Sequence, residues 1–282
     1  MYHLRSRFLK SFSRHARSTG NLLLVFFVGV LAYCAPTTAL YKDFTWSLYA
    51  QHHQVLAYCL IRDVAYLALQ VGNYYLGKGA YDLVKAEKSY IRAFALSPHI
   101  HTAHYQLARV YFVEGRLAQA LEQINTELQL DPGNMRSLYI RGLIEDAQGD
   151  FLAAESDFSR FITWAPGEWG GYNDLSYVLA EEGKYAQSEK VLIEGFKRVS
   201  HAQDVPWLWN SLGLAQLNQH KYTKASDSFA KALELSKTIP PAQWQRAYSA
   251  NDPQAIPKSI STFQQAVEKN LYTAKIGDTM RE

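Results

Sequence analysis

Three histidines within six residues are the clearest candidates for metal chemistry in this sequence. The stretch "HIHTAH" contains His99, His101 and His104, and imidazole nitrogens are common zinc ligands. No acid or cysteine lies close by in the sequence to complete a metal site. We interpret the stretch as a solvated turn, and a metal-dependent enzyme or enzyme accessory remains an alternative.

Other catalytic motifs are missing from the sequence. There is no phosphate-binding loop, nucleophile elbow or His-Glu metal helix. The stretch "GKGAYD" at residues 77–82 has glycines and a lysine but not the spacing that phosphate binding needs. Cys34 and Cys59 form neither a disulfide framework nor a metal motif, and two free thiols are favoured over one bridge. The sequence therefore predicts no enzyme activity and no bound cofactor.

A second pattern concerns how helices end. Prolines that stop a helix recur every 34 residues, at Pro98, Pro132 and Pro166. Glycines recur at the same spacing, at Gly115, Gly149 and Gly183. Each unit between two prolines thus reads as two helices joined at a glycine turn. We place the units near residues 65–100, 101–134, 135–168, 169–205 and 206–237.

Small and large residues alternate within each unit in a fixed order. Small residues at positions 8 and 20 let the two helices approach closely, as Gly142 and Ala154 do in the unit at 135–168. Large residues at positions 4, 7, 11 and 24 fill the space between the helices. No unit can bury its apolar faces alone, so the units must stack.

This pattern resembles the tetratricopeptide repeat (TPR) family over residues 65–237. The resemblance implies an all-α solenoid of about five helix hairpins, wound as a right-handed superhelix with a groove along it. In that family, positions 2, 5, 9 and 12 of each first helix line the concave face. The residues that the resemblance assigns to a protein-binding groove are Tyr66, Asn73, Tyr105, Arg109, Phe112, Arg136, Tyr139, Asn173, Tyr177, Trp207 and Asn210, with Leu69 and Asp146 beside them.

Aromatic side chains and arginine dominate binding hot spots, so these residues suit a protein or peptide partner. The alternative for each of them is packing between helices. One TPR subclass binds a terminal carboxylate with Lys and Asn at positions 2, 5 and 9. Tyr105 and Tyr139 occupy position 5 here, and binding of that type is not expected.

The N-terminus predicts a membrane anchor. Residues 22–41 carry no charge, and about 20 apolar residues suffice to cross a bilayer. Residues 1–20 hold five Lys/Arg and no acid, so the positive-inside rule keeps this basic tail in the cytoplasm and exports the remainder. We predict a transmembrane signal anchor at 21–41. The alternatives are a cleaved signal peptide, or an organellar presequence followed by a mitochondrial inner-membrane anchor.

The flanks of the repeats have separate predicted roles. Residues 42–64 form a juxtamembrane segment, whose helix at 44–64 either caps the first repeat or contacts the membrane or a membrane complex. Residues 238–282 are assigned to C-terminal capping helices and a tail, because the open end of a solenoid needs a polar cover. Residues 65–237 carry 17 Lys/Arg against 20 Asp/Glu, which argues against nucleic acid as a partner.

The sequence as a whole predicts a single-pass membrane protein with an extracytoplasmic TPR solenoid. Its predicted work is to bind protein partners as an adaptor or scaffold, in the assembly or secretion of extracytoplasmic or membrane proteins. The first alternative is a permanent structural subunit of a large membrane complex, which the helix at 44–64 favours.

Overall fold

The computed structural model describes residues 54–78, 81–240, 244 and 256–280. These residues form eleven α-helices, with one π-helical turn at Tyr74–Lys78 and one 3-10 turn at Ala202–Asp204, and no strand occurs among them. The helices are α1 (Gln54–Asn73), α2 (Leu83–Leu96), α3 (Ala103–Val113), α4 (Leu117–Leu130), α5 (Met135–Gln148), α6 (Phe151–Trp164), α7 (Trp169–Glu181), α8 (Tyr185–Arg198), α9 (Pro206–Asn218), α10 (Tyr222–Ser236) and α11 (Ile256–Thr279). The all-α prediction is confirmed.

The described chain divides into two compact units. Residues 54–70 and 92–98 belong to an N-terminal unit, and residues 71–91 with 99–280 belong to a larger one. In the larger unit each helix from α3 to α10 packs against the next along the chain. This is the arrangement of a stack of helix hairpins, as the 34-residue period predicts.

The hairpin turns form where the periodic glycines predict them. Gly115, Gly149 and Gly183 adopt φ angles of +73°, +80° and +75°, a left-handed conformation that costs other residues a steric penalty. Polar side chains cap the N-termini of two helices. Asn134 and Asp150 accept hydrogen bonds from backbone N–H groups in the first turns of α5 and α6.

The small and large positions meet as the repeat pattern predicts. A Cβ atom added at Gly142 on α5 would lie 2.8 Å from the ring of Phe158 on α6. Gly213 on α9 faces the ring of Phe229 on α10 in the same way, at 2.6 Å. These glycines occupy position 8 and the rings position 24, so a hairpin closes by seating an aromatic ring against bare backbone.

The C-terminal helix covers the last hairpin. Helix α11 packs against α10, burying Val267 and Ala274 beside Phe229. It runs over Ile256–Thr279, within the segment 238–282 that the sequence assigns to capping helices and a tail. Residues 241–255, apart from Trp244, lie outside the described residues.

The N-terminal region has only a partial description. Helix α1 continues unbroken from Gln54 to Asn73, so the predicted border between the juxtamembrane segment and the first repeat lies inside one helix. Within the described ranges no helix is long and apolar enough to cross a membrane. The predicted anchor at 21–41 lies outside those ranges.

Candidate protein-binding groove

The first helices of successive hairpins lie side by side in the larger unit. Helix α3 contacts α5, α5 contacts α7, and α7 contacts α9. This row of helices carries all the predicted groove residues of the hairpins at 101–237. The surface that they share is called here the concave face.

Asn73 and Arg109 belong to one hydrogen-bonded network, and Tyr105 contacts its arginine. The Asn73 side-chain oxygen accepts from the Tyr90 hydroxyl at 3.0 Å and from Gln106 Nε2 at 2.8 Å. Gln106 Oε1 in turn accepts from the Arg109 guanidinium at 2.8 Å. That guanidinium lies 5.9 Å from the centre of the Tyr105 ring, close enough for a cation–π contact. The network therefore fixes the positions of an aromatic ring and a cation on α3.

A second network crosses three first helices. The Tyr139 hydroxyl on α5 donates to Asp174 Oδ2 on α7 at 2.5 Å, and Asn173 Nδ2 donates to the other Asp174 oxygen at 3.0 Å. The Ser211 hydroxyl on α9 donates to Asn173 Oδ1 at 2.8 Å. Burial raises the pKa of the Asp174 carboxyl, and the hydrogen bonds from Tyr139 and Asn173 oppose this change. The network ties three repeats together beneath the concave face.

Tyr139 thus has a packing role that the sequence analysis offered only as the alternative. Its ring lies 4.8 Å from the ring of Phe161 and 5.7 Å from that of Phe158, measured between centroids. Burial is the main cause that raises the pKa of its hydroxyl well above the ordinary value.

Carboxyl groups of α5 and α7 lie near an exposed tyrosine of α7. Tyr177 is 49% exposed. Burial is the main cause that raises the pKa of its hydroxyl, and the nearby charges of Glu181 and Asp146 raise it further. Burial, with Asp174 and Glu181 as neighbours, raises the pKa of Asp146 to about 6. The ion pairs found in the described part of the chain include none of these three carboxylates. We call Tyr177 and these three carboxylates, Asp146, Asp174 and Glu181, the acidic patch of the concave face. No lysine or arginine of the described chain forms an ion pair with its carboxylates.

Trp207 is predicted to line the groove, but in the structure it belongs to the hydrophobic core. It is 9% exposed, stacks on Trp169 at 5.1 Å and meets Trp244 edge-on at 4.9 Å, both measured between ring centroids. Phe263 from α11 packs against the same cluster. The physical reason is that C-terminal residues, Trp244 and Phe263, pack against the indole and bury it.

The remaining predicted residues occupy varied settings. Arg136 is exposed, whereas Phe112 and Asn210 are partly buried. The side-chain oxygen of Asn210 is itself buried without a hydrogen-bond partner in the described structure. Tyr66 is exposed and belongs to the N-terminal unit.

The histidine stretch gives no metal centre in the described chain. His99 and His101 are exposed, and His104 Nδ1 lies 2.8 Å from Gln123 Oε1. No group of three or more potential ligands that could hold a metal ion occurs among the residues that the structure describes.

Stacked helix hairpins with aligned first helices define a helical repeat protein. Sequence comparison then identifies the repeat, because models of the tetratricopeptide repeat family match residues 72–135, 105–168 and 208–239. Residues 72–168 and 208–239 are tetratricopeptide repeats, as the 34-residue period predicts.

Curated relatives share these repeats. Tetratricopeptide repeat protein 7B of Homo sapiens is 29% identical over 133 residues, which cover 47% of this chain and 15% of that protein. A TPR repeat-containing protein of Methanocaldococcus jannaschii is 25% identical over 162 residues, 57% of this chain and 28% of that protein. The chain therefore spans less than a third of these two relatives.

Solved structures share the fold at low sequence identity. The PilF protein of Pseudomonas aeruginosa aligns with a TM-score of 0.55 and 17% identity over 78% of this chain and 99% of its own. MamA from Desulfovibrio magneticus aligns with a TM-score of 0.55 and 15% identity over 62% of this chain and 96% of its own. YrrB, described as a TPR protein with an unusual peptide-binding site, aligns with a TM-score of 0.50 and 17% identity over 60% of this chain and 84% of its own.

Proposed function

We propose that this protein is a membrane-anchored adaptor whose concave face binds an extended segment of a protein partner. The acidic patch is the observation that carries the proposal, because it places an exposed aromatic ring among carboxylates without internal counter-ions. Aromatic side chains are typical anchors of binding hot spots. TPR proteins are scaffolds by family, and the peptide-binding site named for YrrB supports a peptide-like partner.

Charge complementarity indicates the chemistry of that partner. The Tyr177 ring can stack on a cationic side chain, and Asp146 and Glu181 can accept its hydrogen bonds. Arg109 and Arg136, on α3 and α5, provide positive charge elsewhere on the concave face. We therefore expect a partner segment whose lysine or arginine lies at α7.

Replacing Tyr177 by Ala should weaken binding of such a segment by about 30-fold, about 2 kcal/mol for loss of a hot-spot aromatic. The ring is half exposed, so the melting temperature should stay at the wild-type value. The measurement is a selection of phage-displayed random peptides on the full chain in mild detergent, followed by titration of the selected peptides. We expect the selected peptides to be enriched in Lys and Arg.

Tyr272→Ala is the matched control, because this tyrosine is 67% exposed but lies on α11. Its affinities should equal those of the wild type. Selected peptides that bind Tyr177→Ala and wild type equally would contradict the proposed use of the acidic patch.

The cellular part of the proposal is that residues 21–41 anchor the chain and the repeats act outside the cytoplasm, in assembly or secretion. The charge asymmetry around residues 22–41 supports this orientation. A reporter active only outside the cytoplasm, fused after Glu282, should give full signal. A reporter active only in the cytoplasm should stay silent at the same position, and full signal from it would reverse the proposed orientation.

A further inference from the structure

The partly buried guanidinium of Arg141 on α5 forms ion pairs with two carboxylates, Asp157 and Glu145. Arg141 Nε and Nη2 donate to the two oxygens of Asp157 on α6 at 2.6 and 2.9 Å, and Nη1 donates to Asn125 on α4 at 3.2 Å. The Asp157 side chain is only 3% exposed. This bidentate pair uses the hydrogen-bonding directions of Arg141 that face α6 and α4.

Glu145 lies one helical turn after Arg141 and is the weaker partner. Its Oε1 lies 3.5 Å from Arg141 Nε, and its side chain is 12% exposed. Its Oε2 is buried and has no hydrogen-bond partner in the described structure. A buried carboxylate oxygen without a donor is costly when the group is ionised. A proton on Glu145 removes that charge.

We propose that Glu145 is a proton-binding switch in the hairpin α5–α6, which is tightened when the side chain gains a proton and loosened when it loses it. The charged groups that act on Glu145 are Arg141 on its own helix, Asp157 on α6 and Asp150 at the start of α6. Arg160 on α6 lies 3.9 Å from Asp157 and is largely exposed, so it adds little positive charge at the buried site. Two acids therefore face Glu145 against one strongly engaged cation.

The direction of the pH effect follows from these groups. Burial first, and then Asp157, raises the pKa of Glu145 from 4.5 to about 7, while Arg141 opposes the change. Between these two values the folded chain holds a proton that the unfolded chain has released. Stability therefore falls as pH rises from about 4.5 to about 7. Because α5 also carries Tyr139 and Asp146, the switch acts beside the concave face. It does not depend on which partner binds that face.

The test compares the thermal unfolding of wild type and Glu145→Gln, as full chains in mild detergent, at pH 5 and pH 8. The glutamine side chain of the variant is neutral at both values, so its Tm at pH 8 should exceed that of the wild type by about 2–6 °C. At pH 5 the difference should shrink to about a quarter of that at pH 8. The exposed Glu122→Gln is the matched control and should show no such difference at either pH. A Glu145→Gln Tm at or below the wild type at pH 8 overturns the switch.

A direct titration keeps the test independent of the variant's fold. In wild type labelled with 13C at glutamate carboxyls, one resonance should titrate near pH 7 and be absent from Glu145→Gln. A Glu145 midpoint near 4.5 overturns the proposal.

Discussion

Gly142→Leu should lower the free energy of unfolding by about 1–3 kcal/mol or more, a large effect for one added side chain. A Cβ atom at this position would lie 2.8–3.0 Å from three atoms of the Phe158 ring. That ring is fully buried between α5, α6 and α7, so it has little freedom to move away. Chemical denaturation of both proteins, followed by far-ultraviolet circular dichroism, measures the difference.

Gly167→Leu is the matched control for that substitution. A Cβ atom at Gly167 meets no atom within 4 Å, and the residue is exposed in the turn between α6 and α7. Its effect should stay within about 0.5 kcal/mol. Equal stability of Gly142→Leu and wild type would mean that the close approach of α5 and α6 is assigned to the wrong residues.

The features that the sequence predicts well are those that repeat. The turn glycines and the pairing of Gly142 with Phe158 depend on contacts within one unit, and the same spacing recurs along the chain. A periodic signal thus reports each local contact several times. That repetition is why the turn residues and the close contact within a hairpin could be predicted without a structure.

Contacts made once in the chain could not be predicted in this way. The burial of Trp207 depends on Trp244 and Phe263, which lie 37 and 56 residues further on and outside the repeat period. A position rule taken from the repeat has no information about this cover. The same rule placed Tyr177 on the accessible surface, where the structure also has it.

Asp174 is one residue of the concave face that the sequence analysis missed. It follows Asn173 at position 6 of its unit, next to the predicted groove positions. Its bond to Tyr139 spans 35 residues, one period plus one. The bond between Ser211 and Asn173 likewise joins position 6 of one unit to position 5 of the preceding unit. A search for polar pairs at this offset is a signal that could have found both.

Glu127 is the second position where one substitution should have a large effect. This buried acid on α4 accepts hydrogen bonds from the backbone N–H groups of Thr102 and Tyr105, at 3.1 and 3.2 Å. It also accepts from Asn134 Nδ2 at 3.2 Å. Thr102 precedes α3 with a φ of +72°, and its own side chain makes no capping bond. Glu127 therefore supplies the cap that the start of α3 lacks locally.

Glu127→Ala should consequently lower the free energy of unfolding by about 2–4 kcal/mol, because it leaves several donors unpaired beside a cavity. Glu127→Gln keeps the volume and one acceptor oxygen, so its loss should be smaller than that of Glu127→Ala. The exposed Glu122 lies on the same helix, and Glu122→Ala should change the free energy of unfolding by no more than about 0.5 kcal/mol. Denaturant titrations of the three variants test this order. Since α3 also positions Tyr105 and Arg109, backbone amide exchange in its first turn should accelerate in Glu127→Ala and remain at the wild-type rate in Glu122→Ala. A Glu127→Ala protein as stable as Glu122→Ala would show that α3 does not depend on this cap.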